Sequence, residues 1–276
     1  MTRRNDAAGS RLTITPPADY LLSRDACSYG YCMLAPNRWV VAEQALETCL
    51  HITTNQTDGA VGCIIAQPRE HPGATLTVRT DVKLDAAQRR AVKAQISRML
   101  RLNETADDIK AFHSVDPRWR KSGGGRLIRT PTLFEDVITT VTNCNVTWPG
   151  TINMNRRLCE VLGAKSPSGL RAFPTARRLA RTRVGTLRGR CRVGYRDQRM
   201  IDLAKLFVRG EIDEAWLSSP ETTDEDVYRF LLKLPGIGPY AAGNIMQLLG
   251  RYSQLALDTE SVRHGKTVLG MEGTNP

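Results

Sequence analysis

The residues best suited to bind an anion lie in the segment Leu234-Pro235-Gly236-Ile237-Gly238. Its two glycines allow backbone conformations with positive φ and let another backbone approach closely. Pro239 follows and suits the first position of a helix. Amide donors at the start of that helix, together with the helix dipole, favour negative charge. The segment therefore predicts a tight turn that binds an anion through its backbone.

Two helices must hold this turn. The helix before it presents apolar residues on one face, and the spacing of Thr222 and Glu225 is that of a capping box at its start. The helix after it continues an apolar face, and Gly250 suits its end. The apolar residues are Val227, Phe230, Leu231 and Leu234 before the turn and Ile245, Leu248 and Leu249 after it. The predicted unit is a helix, a tight hairpin and a second helix.

The sequence LPGIGPYAAGNI followed by LALDTESVR resembles the hairpin and aspartate signature of the helix-hairpin-helix (HhH-GPD) DNA glycosylases of base-excision repair. Tyr240 and Asp258 are 18 positions apart, close to the family distance from the nucleophile slot to the catalytic aspartate. The resemblance spans roughly residues 18–264 and is nearest the 8-oxoguanine and 3-methyladenine glycosylase branch. It implies an α+β fold, with an N-terminal antiparallel β-sheet domain that includes a helix, followed by a mostly α-helical glycosylase domain.

The resemblance makes Asp258 the catalytic carboxylate. Hydrolysis of an N-glycosidic bond builds positive charge on the sugar, which a fixed carboxylate stabilises while it orients or deprotonates water. The alternative role of Asp258 is the N-cap of a helix that begins at Thr259.

Tyr240 occupies the slot that holds lysine in bifunctional relatives. A phenol cannot form a Schiff base, so we expect a monofunctional glycosylase that leaves an abasic site and an intact strand. The alternative for Tyr240 is simple packing, or a hydroxyl that closes the pocket.

Further residues are predicted to contact DNA. By resemblance, Asn145 lies between two helices and contacts the orphaned base. Val146 and Thr147 replace the asparagines that follow it in the family. The alternative for Asn145 is a role in a turn or a helix cap. Arg196 belongs to a G-Y-R triplet that resembles the start of a core helix in these families. The hairpin contributes its backbone to phosphate, and its predicted DNA-binding residues are Leu234, Pro235, Gly236, Ile237 and Gly238.

The composition supports a polyanionic partner. The formal net charge is +11 and the pI about 9.6, although a basic but otherwise ordinary enzyme would look the same. Arginines cluster between Arg171 and Arg199, where Asp197 is the only acid. This cluster is either a phosphate-facing surface or a solvated face. We expect a monomer whose partner is double-stranded DNA with a base lesion.

The seven cysteines show no C-x-x-C pair, which fits a reducing cytoplasm; the protein would be nucleoid-associated in a bacterium and nuclear in a eukaryote. No cysteine follows Cys191, so we expect no iron–sulfur cluster, and no other cofactor or metal. No segment has signal-peptide or membrane-spanning length.

Three parts are predicted along the chain: a disordered tail (1–10), an N-terminal α+β domain (11–122) and a helical catalytic domain (123–276). Strands are expected at LTIT, YCML, RWVVAE, VGCIIAQ and ATLTVRT, then a helix from Asp85 to Leu102 and an irregular linker that includes His113. A helix is expected to start near Thr132 and Glu135. Only 18 residues follow Asp258, so we expect a truncated C-terminus or an unusually open base pocket.

Two other functions stay open at this stage. One is a non-catalytic helix-hairpin-helix protein that binds DNA without hydrolysis. The other is a bifunctional lyase that uses an amine elsewhere in the chain.

Overall fold

The computed structural model describes residues 9–54 and 58–271, and the side chains of all of these except Asp58. The predicted disordered tail therefore lies outside the described residues apart from Gly9 and Ser10. The chain forms two compact units. The first contains the chain up to Glu135 and the segment Pro149–Thr175; the second contains Asp136–Trp148 and the chain from Ala176 onward. The predicted domain boundary at 122/123 stays a prediction.

An antiparallel sheet of five strands forms the centre of the first unit; numbered along the chain, the strands lie side by side in the order 1-5-4-3-2. Leu46 pairs with Ile65, and Ile65 with Val78. All three side chains are fully buried, so this row of apolar residues fixes the register. The strands are β1 Arg11–Ile14, β2 Arg38–Val40, β3 Ala45–Thr53, β4 Asp58–Ala66 and β5 Leu76–Thr80. The predicted N-terminal antiparallel sheet is confirmed.

Helix α2 (Ala86–Met99) packs against this sheet through Val92, Ile96 and Met99, which are fully buried. The predicted helix from Asp85 to Leu102 is present and ends at Met99; Asp85 begins it with a capping box to Gln88. The unit also contains α1 (Leu22–Asp25), α3 (Ala106–Val115), α5 (Trp148–Leu162) and 3₁₀ turns at Gly30–Met33 and Pro117–Trp119. Helix α4 (Leu133–Asn143) begins here with the predicted pair, since the Thr132 hydroxyl accepts from the Glu135 amide.

Three local predictions are wrong, and one strand was not predicted. The predicted strand YCML is a 3₁₀ turn, closed by the Leu34 amide on the Tyr31 carbonyl. Strand β3 is missed because it is buried on both faces and lacks alternation. His113 lies in α3 and not in a linker. The helix before the hairpin is capped by Thr223 and not by Thr222.

The second unit is helical in its described part, as predicted. Its helices after the end of α4 are α6 (Ala176–Ala180), α7 (Val184–Thr186), α8 (Asp197–Arg209), α9 (Glu214–Ser218), α10 (Asp224–Leu232), α11 (Pro239–Leu249) and α12 (Thr259–Val268). A π-helical turn (Leu187–Cys191) and a 3₁₀ turn (Gly194–Arg196) precede α8. Gly210 and Gly250 end α8 and α11 in the left-handed region, with φ of 72° and 91°. Over residues 9–54 and 58–271, no helix is both long and apolar enough to cross a bilayer.

Candidate active site and nucleic-acid interface

The predicted hairpin joins α10 to α11 within the second unit. Leu234 and Ile237 are buried and anchor it, and the Ile237 amide donates to the Leu234 carbonyl at 3.2 Å. Gly236 has φ of 79°, and Gly238 immediately precedes Pro239, the first residue of α11. A Cβ at Gly238 would meet no atom within 4 Å. The hairpin thus presents an open backbone at the start of a helix, and the Ile237 amide is engaged inside the turn.

Arg251 braces the two helices of the hairpin. It follows α11, and its guanidinium contacts the Asp224 carboxylate at the start of α10. It also donates to the carbonyls of Leu217 at 2.8 Å and Ser219 at 2.5 Å. Hydrogen bonds from Ser253 and Arg251 lower the pKa of Asp224. The far ends of both helices are therefore tied together.

Gly243 lets the segment that leads to Asp258 lie directly on α11. A Cβ at this position would be 2.7 Å from the Leu255 carbonyl oxygen and 3.1 Å from the Ala256 nitrogen. Asp258 follows Leu255 by three residues, a span of at most about 11 Å. Gly243 is one helical turn beyond Tyr240. The backbone thus holds the predicted aspartate close to the helix that carries the predicted nucleophile slot.

Asp258 caps α12. Its Oδ1 accepts from the Ser261 amide and the Ser261 hydroxyl, both at 2.7 Å. The side chain is exposed. Among the residues that the structure describes, Oδ2 has no hydrogen-bond partner. One carboxylate oxygen fixes the side chain, and the other is available to a ligand.

Tyr240 lies in the first turn of α11, half-buried. Its hydroxyl accepts from the Asn143 side-chain amide at 2.6 Å, at the end of α4. One turn further on, Thr140 and Asn244 join the same two helices by a buried 2.9 Å hydrogen bond. Tyr240 is therefore held in a defined position.

Arg196 is buried, with 6 % of its surface exposed. Its guanidinium donates to the carbonyls of Val141 at 3.1 Å, of Cys144, and of Asn145 at 3.3 Å. These carbonyls belong to the end of α4 and the turn after it, where the regular helical hydrogen bonds run out; that of Val141 also accepts from the Cys144 amide at 3.4 Å. We therefore revise the prediction that Arg196 contacts DNA: it positions the α4–α5 turn.

Asn145 lies in that turn, as predicted, with φ of 49°, a conformation that asparagine tolerates. Its exposed side chain donates to the Tyr195 hydroxyl at 3.4 Å. The Tyr195 ring is 50 % exposed, and the guanidinium of Arg199 lies 5.2 Å from its centroid. The Arg199 stem in turn packs on Gly236. Contacts within the second unit thus connect Asn145 to the hairpin.

Tyr195 is a residue that sequence reasoning missed as a site candidate, whereas Arg199 was predicted only as the last member of the arginine cluster. The available signal was an aromatic residue between basic ones, GYRDQR, just before a helix. An exposed aromatic ring beside guanidinium groups is suited to contact a nucleobase and its phosphate.

The described residues contain no group of three or more histidine, cysteine or acidic side chains that could hold a metal ion. The prediction that the protein needs no cofactor stays a prediction.

Solved structures share this architecture. The chain aligns with the Clostridium acetobutylicum 8-oxoguanine glycosylase/lyase in its apo form (TM-score 0.71, 18 % identity, covering 96 % of this chain and 87 % of that one). It aligns with 3-methyladenine DNA-glycosylase from Archaeoglobus fulgidus (TM-score 0.69, 16 % identity, 96 % and 88 %). The chain has the fold of the helix-hairpin-helix DNA glycosylases. The chain also aligns with MBOgg1 in complex with a low affinity DNA ligand (TM-score 0.71, 19 % identity, covering 96 % of this chain and 86 % of that one).

No protein-family model matches the chain, and no curated protein matches it significantly. At these identities the structural likeness establishes the fold, and the chemistry has to be argued from the residues of this chain.

Proposed function

We propose that this protein is a DNA glycosylase that removes a damaged or mismatched base from duplex DNA. The observation that carries the proposal is the packing of the Leu255–Ala256 backbone on α11 at Gly243. This packing holds the Asp258 carboxylate, of which only Oδ1 is bound by Ser261, near α11, the helix that begins at the proposed anion-binding hairpin. The glycosylase fold supports the proposal.

The proposed chemistry begins with a nucleotide turned out of the duplex, because C1′ cannot be reached inside it. Gly236 and Gly238 hold the phosphate backbone beside the lesion through their amides. As the N-glycosidic bond breaks, positive charge develops on the sugar. Asp258 Oδ2 stabilises this charge and orients the attacking water, while Ser261 fixes Oδ1.

We propose that the reaction stops at the abasic site. Tyr240 supplies a phenol, which cannot form the Schiff base that strand cleavage by a lyase requires. Borohydride should trap no covalent adduct between the wild-type protein and a lesion duplex. Tyr240→Lys is the matched variant, because it places an amine in the same slot, and it should be trapped. A trapped adduct with the wild type would refute the monofunctional reaction.

Excision is tested with duplexes that carry single oxidised, alkylated, deaminated or mismatched bases, followed by hot alkali to cut abasic sites. We expect alkali-dependent breaks in at least one duplex. Asp258→Asn should slow excision by roughly 10² to 10⁴-fold, because asparagine keeps the helix cap but lacks the charge. Ser261→Ala is the control that loosens the cap and keeps the carboxylate; it should retain most of the activity.

A second candidate is a non-catalytic DNA-binding protein. The observation that favours it is the exposure of Asp258, whose contacts with Ser261 are those of an ordinary helix cap. Under this alternative, wild type and Asp258→Asn would give identical results on every duplex, while both bind DNA.

A further inference from the structure

The positive charge of this protein is concentrated in one segment. Ten of the 39 lysines and arginines lie between Val161 and Arg196, where there is no aspartate or glutamate. The remaining 29 are balanced by the 28 acidic residues of the chain. Almost the whole net charge of +11 therefore resides in this stretch.

The second unit displays most of this charge on an anchored backbone. Leu179, Leu187, Cys191 and Val193 are fully buried between Ala176 and Arg196. Seven arginines of the same stretch are exposed: 177, 178, 181, 183, 188, 190 and 192. Apolar side chains thus point inward and guanidinium groups outward, which is the behaviour of a built surface and not of a loose solvated loop.

Four of these arginines have no carboxylate partner within the described part of the chain: Arg177, Arg181, Arg183 and Arg192, hereafter the arginine surface. By contrast, Arg188 is paired with Asp197 at 2.7 Å. Like charges that remain unneutralised on a folded surface repel each other, and a polyanion relieves that repulsion.

Arg192 is also backbone-strained. It has φ of 56° and ends the π-helical turn, where its amide donates to the Leu187 carbonyl. Glycine adopts this conformation without strain, whereas an L side chain does not. An arginine at such a position is a candidate for a functional side chain.

We propose that the arginine surface binds the phosphates of duplex DNA outside the lesion, independently of base damage. The helix that carries Arg177 packs on α8, which carries Arg199, and the Arg199 stem packs on Gly236 of the hairpin. The choice of duplex DNA as the partner rests on the proposed function. It adds a second contact region that supplies most of the sequence-independent, salt-dependent affinity.

The test is the salt dependence of binding to a short undamaged duplex. Each phosphate contact contributes about 0.9 to the slope of log affinity against log salt. The variant Arg177→Gln/Arg181→Gln/Arg183→Gln/Arg192→Gln should lower this slope by roughly 3 to 4 between about 50 and 200 mM salt. A control removes the same charge from exposed positions elsewhere, as Lys83→Gln/Arg90→Gln/Lys93→Gln/Arg209→Gln, and should change the slope by less than about 1.

Arg192→Gly separates binding from folding. Glycine relieves the positive φ, so the melting temperature should stay the same or rise, while the slope should fall by about 1. An unchanged slope in the fourfold variant, or an equal change in the control, would overturn the inference. So would loss of binding to phosphatidylserine vesicles together with an unchanged DNA slope, which would assign the surface to a membrane.

Binding to an undamaged duplex requires no excision. A protein that excises no base but shows the predicted slopes would therefore retain this inference and lose the proposed function. A protein that excises a base but shows unchanged slopes in the variants would retain the proposed function and lose this inference.

Discussion

Gly243→Ala tests how the structure positions Asp258. The new Cβ would lie 2.7 Å from the Leu255 carbonyl oxygen, and ordinary contact begins at 3.4 Å, so the Leu255–Ala256 backbone has to move by 0.7 Å. Overpacking of this kind costs about 1–3 kcal/mol. Alanine favours a helix over glycine by about 1 kcal/mol, which leaves a net destabilisation of about 0–2 kcal/mol. Because a misplacement of about 1 Å can slow an enzyme about 100-fold, excision should fall by roughly 10- to 100-fold.

The assay compares urea unfolding and single-turnover excision with those of a matched variant, Gly265→Ala in α12. There a Cβ would meet only the Met271 sulfur at 3.5 Å, so helix propensity should dominate and stabilise the protein by about 0.5–1 kcal/mol. If Gly243→Ala stabilises the protein as much as Gly265→Ala does, and excision is unchanged, the Leu255–Ala256 backbone does not lie on α11 as described.

Three further predictions concern stability. Arg196→Met removes the guanidinium donor to the carbonyls of Val141, Cys144 and Asn145 and should lower the free energy of unfolding by roughly 1–3 kcal/mol; a loss below about 0.5 kcal/mol in denaturant titration would contradict the capping role. Asp224 has a lowered pKa, so its contribution is present above its unfolded pKa near 3.8 and is lost as pH falls through its folded pKa. The stability difference between wild type and Asp224→Asn should therefore shrink below about pH 4, and a constant difference down to about pH 2 would argue against the contact with Arg251. Asp19→Ala removes the 2.8 Å partner of Arg126, a side chain only 1 % exposed, and leaves it the Asp25 carboxylate at 3.9 Å. The loss of these charged hydrogen bonds should cost about 1.5–3 kcal/mol, and wild-type stability would show that Asp25 alone is a sufficient counter-charge.

Local signals made the hairpin and its helices predictable. Pro239 and Gly250 mark the ends of α11, and Gly210 the end of α8, because each residue type fits a backbone conformation that other residues avoid. The Thr132–Glu135 pair is equally local. These features need only a few neighbouring residues, so sequence spacing is sufficient to recognise them.

Non-local contacts explain what the sequence could not provide. Arg196 was predicted to contact DNA from the resemblance of its G-Y-R triplet, yet its acceptors lie at the end of α4 and in the turn after it, 51–55 positions away in the chain. The importance of Gly243 follows from a backbone 12 residues later that crosses the helix. Strand β3 was missed because its residues are buried on both faces, which removes the alternation that marks a strand. In each case a distant segment sets the environment of the residue.

The most direct test of the proposed site is a crystal structure of the protein with a duplex that carries a non-hydrolysable abasic analogue. We predict Asp258 Oδ2 within about 3–4 Å of the flipped sugar or of a water aligned with it, and the amides of Gly236 and Gly238 on a neighbouring phosphate of the same strand. A complex in which the hairpin binds phosphate while the Asp258 carboxylate faces solvent, away from the sugar, would contradict the proposed chemistry.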